Sequence, residues 1–320
     1  MAIGKKKSFG ILLLLVIVAA AGYTGFVSKT WQKTVSIPYS MLKTGEQVNN
    51  AVNLIKWFRP FAGNETLKET VQNGQKTPIV SEDYSLQVLQ ASTIGSVVKF
   101  SKGSSGLECS FTAASDPKTM DECTVTLQYK NSLLAHWLDR GKLEEKAVES
   151  LENLKTFMED TRLFYGYEIE ETTVTDTAYI FKSSIVPLTE RRAETKKLYE
   201  ELIAYSAAHN GSYTGTRIFY STPYGTDKIM LFTSIGVANE VKVTPGAPIQ
   251  YKRMPLGKNL LMATYQGPLN QVGKVFNAME NFKADHKLSS MAIPYFKFLS
   301  DGIDFADDQV VQLKVYYPIF

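Results

Sequence analysis

Residues 8–29 are an uncharged apolar run set directly behind Lys5, Lys6 and Lys7, and no other stretch of the chain resembles it. It decides where the rest of the chain has to fold. As a helix rising about 1.5 Å per residue, residues 9–27 reach roughly 28 Å, close to the hydrocarbon thickness of a bilayer. The flanking lysines mark the cytoplasmic side. Residues 1–29 therefore read as a single-pass inner-membrane anchor of a bacterial cell, with the remainder on the periplasmic side. The same residues also read as a cleavable signal, with 11–21 as its apolar region and Ala19-Ala20-Ala21 as a small-residue cleavage site, in which case the remainder is secreted.

The chain beyond the run is of a length that fits two domains of ordinary size better than one. A hydrophobic fraction of 44% with 21% charged residues is that of a globular protein with real cores. The formal charge of +3 owes three units to the lysines ahead of the run, so the exported part is close to neutral and offers no electrostatic case for nucleic acid. Cys109 and Cys123 flank a turn-like stretch, Ala-Ser-Asp-Pro-Lys-Thr at 114–119, with strand-like residues outside them. If that stretch closes a hairpin they are a disulfide candidate; the alternative is two buried free thiols. His136, His209 and His286 are isolated from the cysteines and from one another, so neither a metal nor a cofactor is expected.

Residues 30–165 read as strand, helices, several strands and one long helix. Residues 33–37 alternate as a strand and stop at Pro38. Helical spacing over 41–58 ends before Pro60. Strand-like segments come next at 84–91, 96–101, 107–113 and 123–129, broken by turn residues. Over 143–161, Leu143, Ala147, Leu151, Leu154 and Met158 make one apolar stripe on a charged helix, which is made to lie against a sheet. The opening strand, the stretch from Asn49-Asn50 to Ile55-Lys56-Trp57-Phe58-Arg59-Pro60, and the closing helix resemble the START-like, polyketide cyclase and lipid transport (SRPBCC) superfamily. That resemblance implies an antiparallel sheet curled around the long helix, with a cavity between them. Where the family's commoner form has a second tryptophan just ahead of the Trp57 position, this chain has Leu54-Ile55. Trp57 is then either a core anchor at the rim or a ligand contact. No nucleophile, base and orienting group stand in a spacing that argues for catalysis.

Residues 166–320 repeat themselves. Strand 178–185, helix 190–208 and strands 216–221 and 228–237 are answered by strand 260–266, helix 269–287 and strands 295–300 and 309–319. Ile218-Phe219-Tyr220-Ser221 answers Lys297-Phe298-Leu299-Ser300 at an offset of 79 residues, and Gly236-Val237 answers Pro318-Ile319 at 82. With its Tyr265-Gln266-Gly267-Pro268 turn and closing Val315-Tyr316-Tyr317-Pro318-Ile319, this half is similar to the gyrase-inhibitor-like (GyrI-like) effector-binding family of bacterial transcription activators. The resemblance implies a saddle made by two repeats whose concave face binds small molecules. It also implies a glutamate four residues before the terminal proline, where this chain has Lys314. Alternation puts Gln312, Lys314 and Tyr316 on one side of the last strand and Leu313, Val315 and Tyr317 on the other. Lys314 either points into the groove, favouring a neutral or anionic ligand over a cation, or runs out to solvent. Tyr179, Phe181, Phe219, Tyr265, Phe298 and Tyr316 are the aromatics on the expected groove strands, each a candidate for stacking on a ligand or for core packing.

The expected fold class is α+β: a sheet gripping a long helix, then a duplicated β-α-β-β domain. The leading functional expectation is a non-enzymatic binding protein, tethered through residues 9–27 or released, whose cavities take small apolar or amphipathic, lipid-like molecules. The alternatives are a hydrolase or cyclase acting on a small apolar substrate, and an interaction protein whose pockets have closed.

Overall fold

The computed structural model describes residues 22–23, 27–72, 74–75, 77–117, 119, 122–138, 142–175, 178–290, 292–299 and 304–319. They are α+β throughout, and the chain divides into two compact units, Met1–Asp160 and Thr161–Phe320. The apolar run at 9–27 lies almost wholly outside the described residues; among those residues no helix is long and apolar enough to cross a membrane.

In the first unit, β1 (Ser28–Ile37) leads to two short helices, α1 (Met41–Val48) and α2 (Ala51–Trp57), where the spacing predicts one. The break falls at Asn49-Asn50. There the Asn50 side chain accepts from the backbone N–H of Asn53 and starts a new helix, just as Ser40 caps α1 by accepting from Lys43. Gly45 lets α1 lie on the following hairpin, since a Cβ there would sit 2.5 Å from the carbonyl oxygen of Thr93. Helix α3 (Glu65–Thr70) precedes strands β2 (Ile79–Ser81), β3 (Tyr84–Ser92), β4 (Gly95–Lys102), β5 (Ser105–Ser115) and β6 (Cys123–Ser132). They form an antiparallel sheet in the order β1-β6-β5-β4-β3-β2. After α4 (Leu133–Leu138), the long α5 (Lys142–Glu159) lies on β1, β4, β5 and β6. All five residues of its predicted stripe are buried.

The second unit opens with α6 (Thr161–Tyr165) and β7 (Ile169–Thr173). The first repeat is β8 (Ala178–Pro187), α7 (Arg191–Ala208), β9 (Tyr213–Tyr224) and β10 (Lys228–Val237); β11 (Gln250–Arg253) leads into the second, β12 (Asn259–Pro268), α8 (Gly273–Asp285), β13 (Tyr295–Phe298) and β14 (Val310–Pro318). In each copy the first strand passes through a Pro-Leu into one 3₁₀ turn and then the helix, at Pro187-Leu188 and Pro268-Leu269. Thr189 lies inside the first of these turns.

The eight strands make one antiparallel sheet, β11-β8-β10-β9-β13-β14-β12-β7, whose two halves run in mirrored order. The edge strands are exchanged: β7 precedes the first repeat but pairs with β12 of the second, and β11 precedes the second but pairs with β8 of the first. Phe219 and Phe296 pair directly across β9 and β13, with ring centroids 5.3 Å apart, so the pseudo-two-fold passes between them. Phe219 thus corresponds to Phe296, at an offset of 77 residues, and not to Phe298 as the sequence offset of 79 suggests.

Candidate functional site

Successive strand side chains alternate faces and directly paired residues share one, so the register of the second sheet sorts every candidate. Phe219, Leu231, Phe296, Leu313, Val315 and Tyr317 form one core with Leu198 of α7 and Val275 of α8, which marks the helix-covered face. The opposite face carries Tyr179, Phe181, Ile218, Tyr220, Phe232, Tyr295, Lys297, Gln312, Lys314 and Tyr316. On it lies a cleft of about 290 Å³ lined by Tyr179, Phe181, Ile218, Tyr220, Phe232, Ser234, Lys252, Met254, Ile293, Pro294, Tyr295 and Pro318. Phe181, Tyr220 and Phe232 are only half-buried, an unusual state for rings of this size on a sheet.

Tyr179 lies in the wall of this cleft. Tyr316 lies on the same face and stacks on Tyr295 at 5.2 Å, while Lys314 and Gln312 continue along β14 beyond the cleft lining. Phe219 and Tyr265 are corrections. Phe219 packs beneath the helices against Phe296, one residue out of phase with the open face. Tyr265 pairs with Leu313 on the helix side, and its hydroxyl donates to the carbonyl of Pro268 at 2.6 Å. Sequence reasoning missed Tyr220, Phe232, Tyr295 and Lys297. The alternation Ile218, Tyr220 and Phe232, Ser234 holds the signal for the first two, once Phe219 is assigned inward.

The repeats differ at one informative place. Four residues before Gly236 stands Phe232, paired with Tyr220; four residues before Pro318 stands Lys314, paired with Lys297. An aromatic pair in the first repeat is thus a lysine pair in the second. The two pairs share one face, and Lys297 is paired with Ile218, which lines the cleft.

In the first unit the space between sheet and long helix is filled by the protein itself. Trp57, Phe58, Phe61, Phe100 and Phe111 are all fully buried, with Phe111 edge-on to Trp57 at 5.5 Å and Phe100 edge-on to Phe58 at 5.1 Å. The cavity implied by the resemblance is occupied by these rings, and Trp57 is a core anchor, not a ligand contact. Its indole N–H donates to the carbonyl of Gln47 at 3.0 Å. Asn153 of α5 in turn donates to the Trp57 carbonyl at 2.6 Å, tying the helix to this anchor.

Cys109 and Cys123 are free and buried. The hairpin does form, but its register pairs Cys123 with Ser115 and Cys109 with Tyr129. The two cysteines are thus six ladder positions apart, roughly 20 Å at about 3.3 Å per residue, far beyond disulfide reach. Burial pushes the Cys109 thiol up to about 12, and burial also raises that of Cys123.

His136 is less isolated than the sequence suggests. Its Nδ1 meets a carboxylate oxygen of Glu144, which is buried and also accepts from Asn131 Nδ2 at 2.6 Å. The His136 ring stacks on Trp31 at 4.1 Å, and burial together with the Glu144 charge pushes the neighbouring Tyr129 hydroxyl up to about 12. Tyr129, His136 and Glu144 line an open cleft along α5 with Arg59, Glu145 and Asn153. Among the described residues no group of three or more histidine, cysteine and acidic side chains is placed to hold a metal.

No family model and no curated protein matches this chain. Among solved structures, the C-terminal domain of EcmrR is similar at 13% identity over 48% of this chain and 98% of that one, with a TM-score of 0.36. A hydrolase from Listeria innocua is similar at 14% identity over 48% of this chain and 91% of that one, with a TM-score of 0.34. The di-domain ARO/CYC protein BexL from the BE-7585A biosynthetic pathway is similar at 10% identity over 91% of this chain and 84% of that one, with a TM-score of 0.30.

Proposed function

We propose that the protein is a non-enzymatic binder of a small apolar or amphipathic molecule, with its site on the open face of the second sheet, and that residues 9–27 tether it to a membrane. The observation that carries this reading is the cleft of about 290 Å³ walled by half-buried aromatic rings on the face of the sheet opposite α7 and α8. Its volume is near the lower end of the range that small-molecule sites occupy, roughly 300–1,000 Å³, so the occupant is of one or two rings, not a diacyl lipid. Burying about 200 Å² of such a molecule at about 25 cal/mol per Å² is worth about 5 kcal/mol, a dissociation constant in the 0.1–1 mM range before any polar contact is added.

The test is titration with N-phenyl-1-naphthylamine, a neutral dye that brightens in apolar sites, on the wild type and on Ser234→Trp, which fills the middle of the cleft. Binding weakened at least tenfold in the variant supports the reading. Equal binding by both proteins, or none by the wild type, sinks it.

A second reading, acid-base chemistry in the first unit, is favoured by one specific contact, that of His136 with the buried Glu144 in the wall of an open cleft. Hydrolysis of 4-nitrophenyl esters that disappears in His136→Gln would establish it, and equal rates in the two proteins would remove it.

A further inference from the structure

Resting on the reading of the cleft as a ligand site, we infer that its ligand is a compact aromatic monoanion, a carboxylate of one or two rings, and that Lys252 is the residue that selects the charge. Among the described residues lining the cleft, Lys252 alone carries a charge. It pairs directly with Tyr179, and directly paired residues share a face, so its stem starts on the open side of the sheet. Its neighbours Tyr251 and Arg253 alternate to the other side: Tyr251 packs against the core of Ile180 and Tyr199, and both line a separate recess with Glu240. Lys252 is exposed and forms no ion pair among the described residues.

The register sets the cleft out in three rows across the strands. Lys252 and Tyr179 make the first, Phe181, Ser234 and Ile218 the second, and Phe232 and Tyr220 the third, with no acid among these residues. The cleft thus has a cationic end, a floor with one small hydroxyl, and an aromatic end. With strands about 4.8 Å apart and about 3.4 Å per residue, Lys252 stands roughly 12 Å from Ser234, and its four-carbon stem covers about half of that span. One or two rings on Phe181 and Ser234 fill the remainder and leave a carboxylate at the ammonium. A neutral molecule in the same place strips water from the ammonium and returns nothing, a cation meets repulsion, and an anion supplies a charge-assisted hydrogen bond. The corresponding place in the other half of the sheet carries no charge. Tyr179 lies opposite Gly236 as Leu260 lies opposite Pro318, and the edge-strand partner of Leu260 is Thr172. The charge therefore accompanies the aromatic half, and it is brought there by β11, the exchanged edge strand.

The experiment displaces N-phenyl-1-naphthylamine from the full chain with three molecules of nearly one shape, 2-naphthoate, 2-naphthamide and 2-naphthylmethylamine, which are anionic, neutral and cationic at about pH 7. The naphthoate is expected to bind about fivefold more tightly than the amide, and the amine more weakly than either, with the preference shrinking in about 0.5 M salt. Lys252→Gln should bring the naphthoate within about twofold of the amide, and Lys252→Glu should reverse the order in favour of the amine. Arg253→Gln, which removes a charge from the opposite face, should leave the preference as it is. Equal binding of naphthoate and amide by the wild type, displacement by none of the three, or a preference that persists in Lys252→Gln or falls equally in Arg253→Gln overturns the anion selectivity and leaves the cleft reading standing. Failure of the dye itself on the wild type removes the cleft reading and this inference with it. If both Lys252 variants lose the dye, Lys252→Arg decides: a naphthoate preference kept with the charge supports the inference, and its loss there overturns it.

Discussion

Replacing Trp57 by phenylalanine separates an anchor from a ligand contact. The substitution deletes the indole N–H that donates to the Gln47 carbonyl at 3.0 Å, worth about 1 kcal/mol. It also leaves a void of roughly 40 Å³ among Phe58, Phe111 and their neighbours, worth about 1 kcal/mol more at about 24 cal/mol per Å³. The first unit should therefore lose about 2 kcal/mol, and with a slope of about 1.5 kcal/mol per molar urea its midpoint should fall by about 1.3 M. All three tryptophans of the chain, Trp31, Trp57 and Trp137, belong to the first unit, so tryptophan emission reports its unfolding alone, and two reporters remain in the variant. Binding of the neutral dye to the second unit should not change. A midpoint shift below about 0.3 M, or weakened dye binding, would refute the assignment of Trp57 to the core.

Thiol labelling and the pH dependence of one hydroxyl–carboxylate contact give two more expected outcomes. With the Cys109 thiol pushed up to about 12 by burial, and Cys123 raised by burial too, native protein at pH 8 should resist iodoacetamide, take up two labels in urea and show an intact mass without a disulfide; one fast thiol, or a mass two hydrogens lighter, would contradict this. Burial alone would raise the Glu280 carboxyl, but donation from Tyr317 and Lys283 outweighs it and holds the group below its ordinary value. A depressed carboxylate contributes stability above its unfolded value and loses it as pH falls through the folded one. Tyr317→Phe should thus cost about 1 kcal/mol or less at neutral pH, since Glu280 is 49% exposed, and the cost should shrink as pH drops below about 4; urea melts showing a cost independent of pH would refute the linkage.

How much the sequence disclosed depended on the range of the interaction. The stripe on α5 is a property of one segment, and every residue of it is buried as its spacing demands. The duplication was visible because two strand motifs recur at similar offsets, yet the offset for the short β13 was wrong by two residues, since insertions between strands leave no local mark. Asn49-Asn50 carried a readable cap that the helical spacing on either side obscured. Phe219 and Tyr265 show the weak point of strand reading: a phase error of one moves a ring through the sheet, and only pairing with a known partner corrects it. The filling of the first unit's interior by Phe58, Phe61, Phe100 and Phe111 could not be read at all, because it depends on rings from the turn after α2, from β4 and from β5 meeting across long stretches of chain.

The exchanged edge strands bear on how the second unit is made. As the ribosome releases the chain, β7 emerges about 90 residues before β12, and β8 shows an open side until β11 arrives about 70 residues behind it. A nascent first repeat therefore exposes unpaired backbone for several seconds at ordinary elongation rates of about 5–20 residues per second. Truncation after β10 should yield an aggregating fragment, and the gene cannot be halved at its point of symmetry to give two self-sufficient domains.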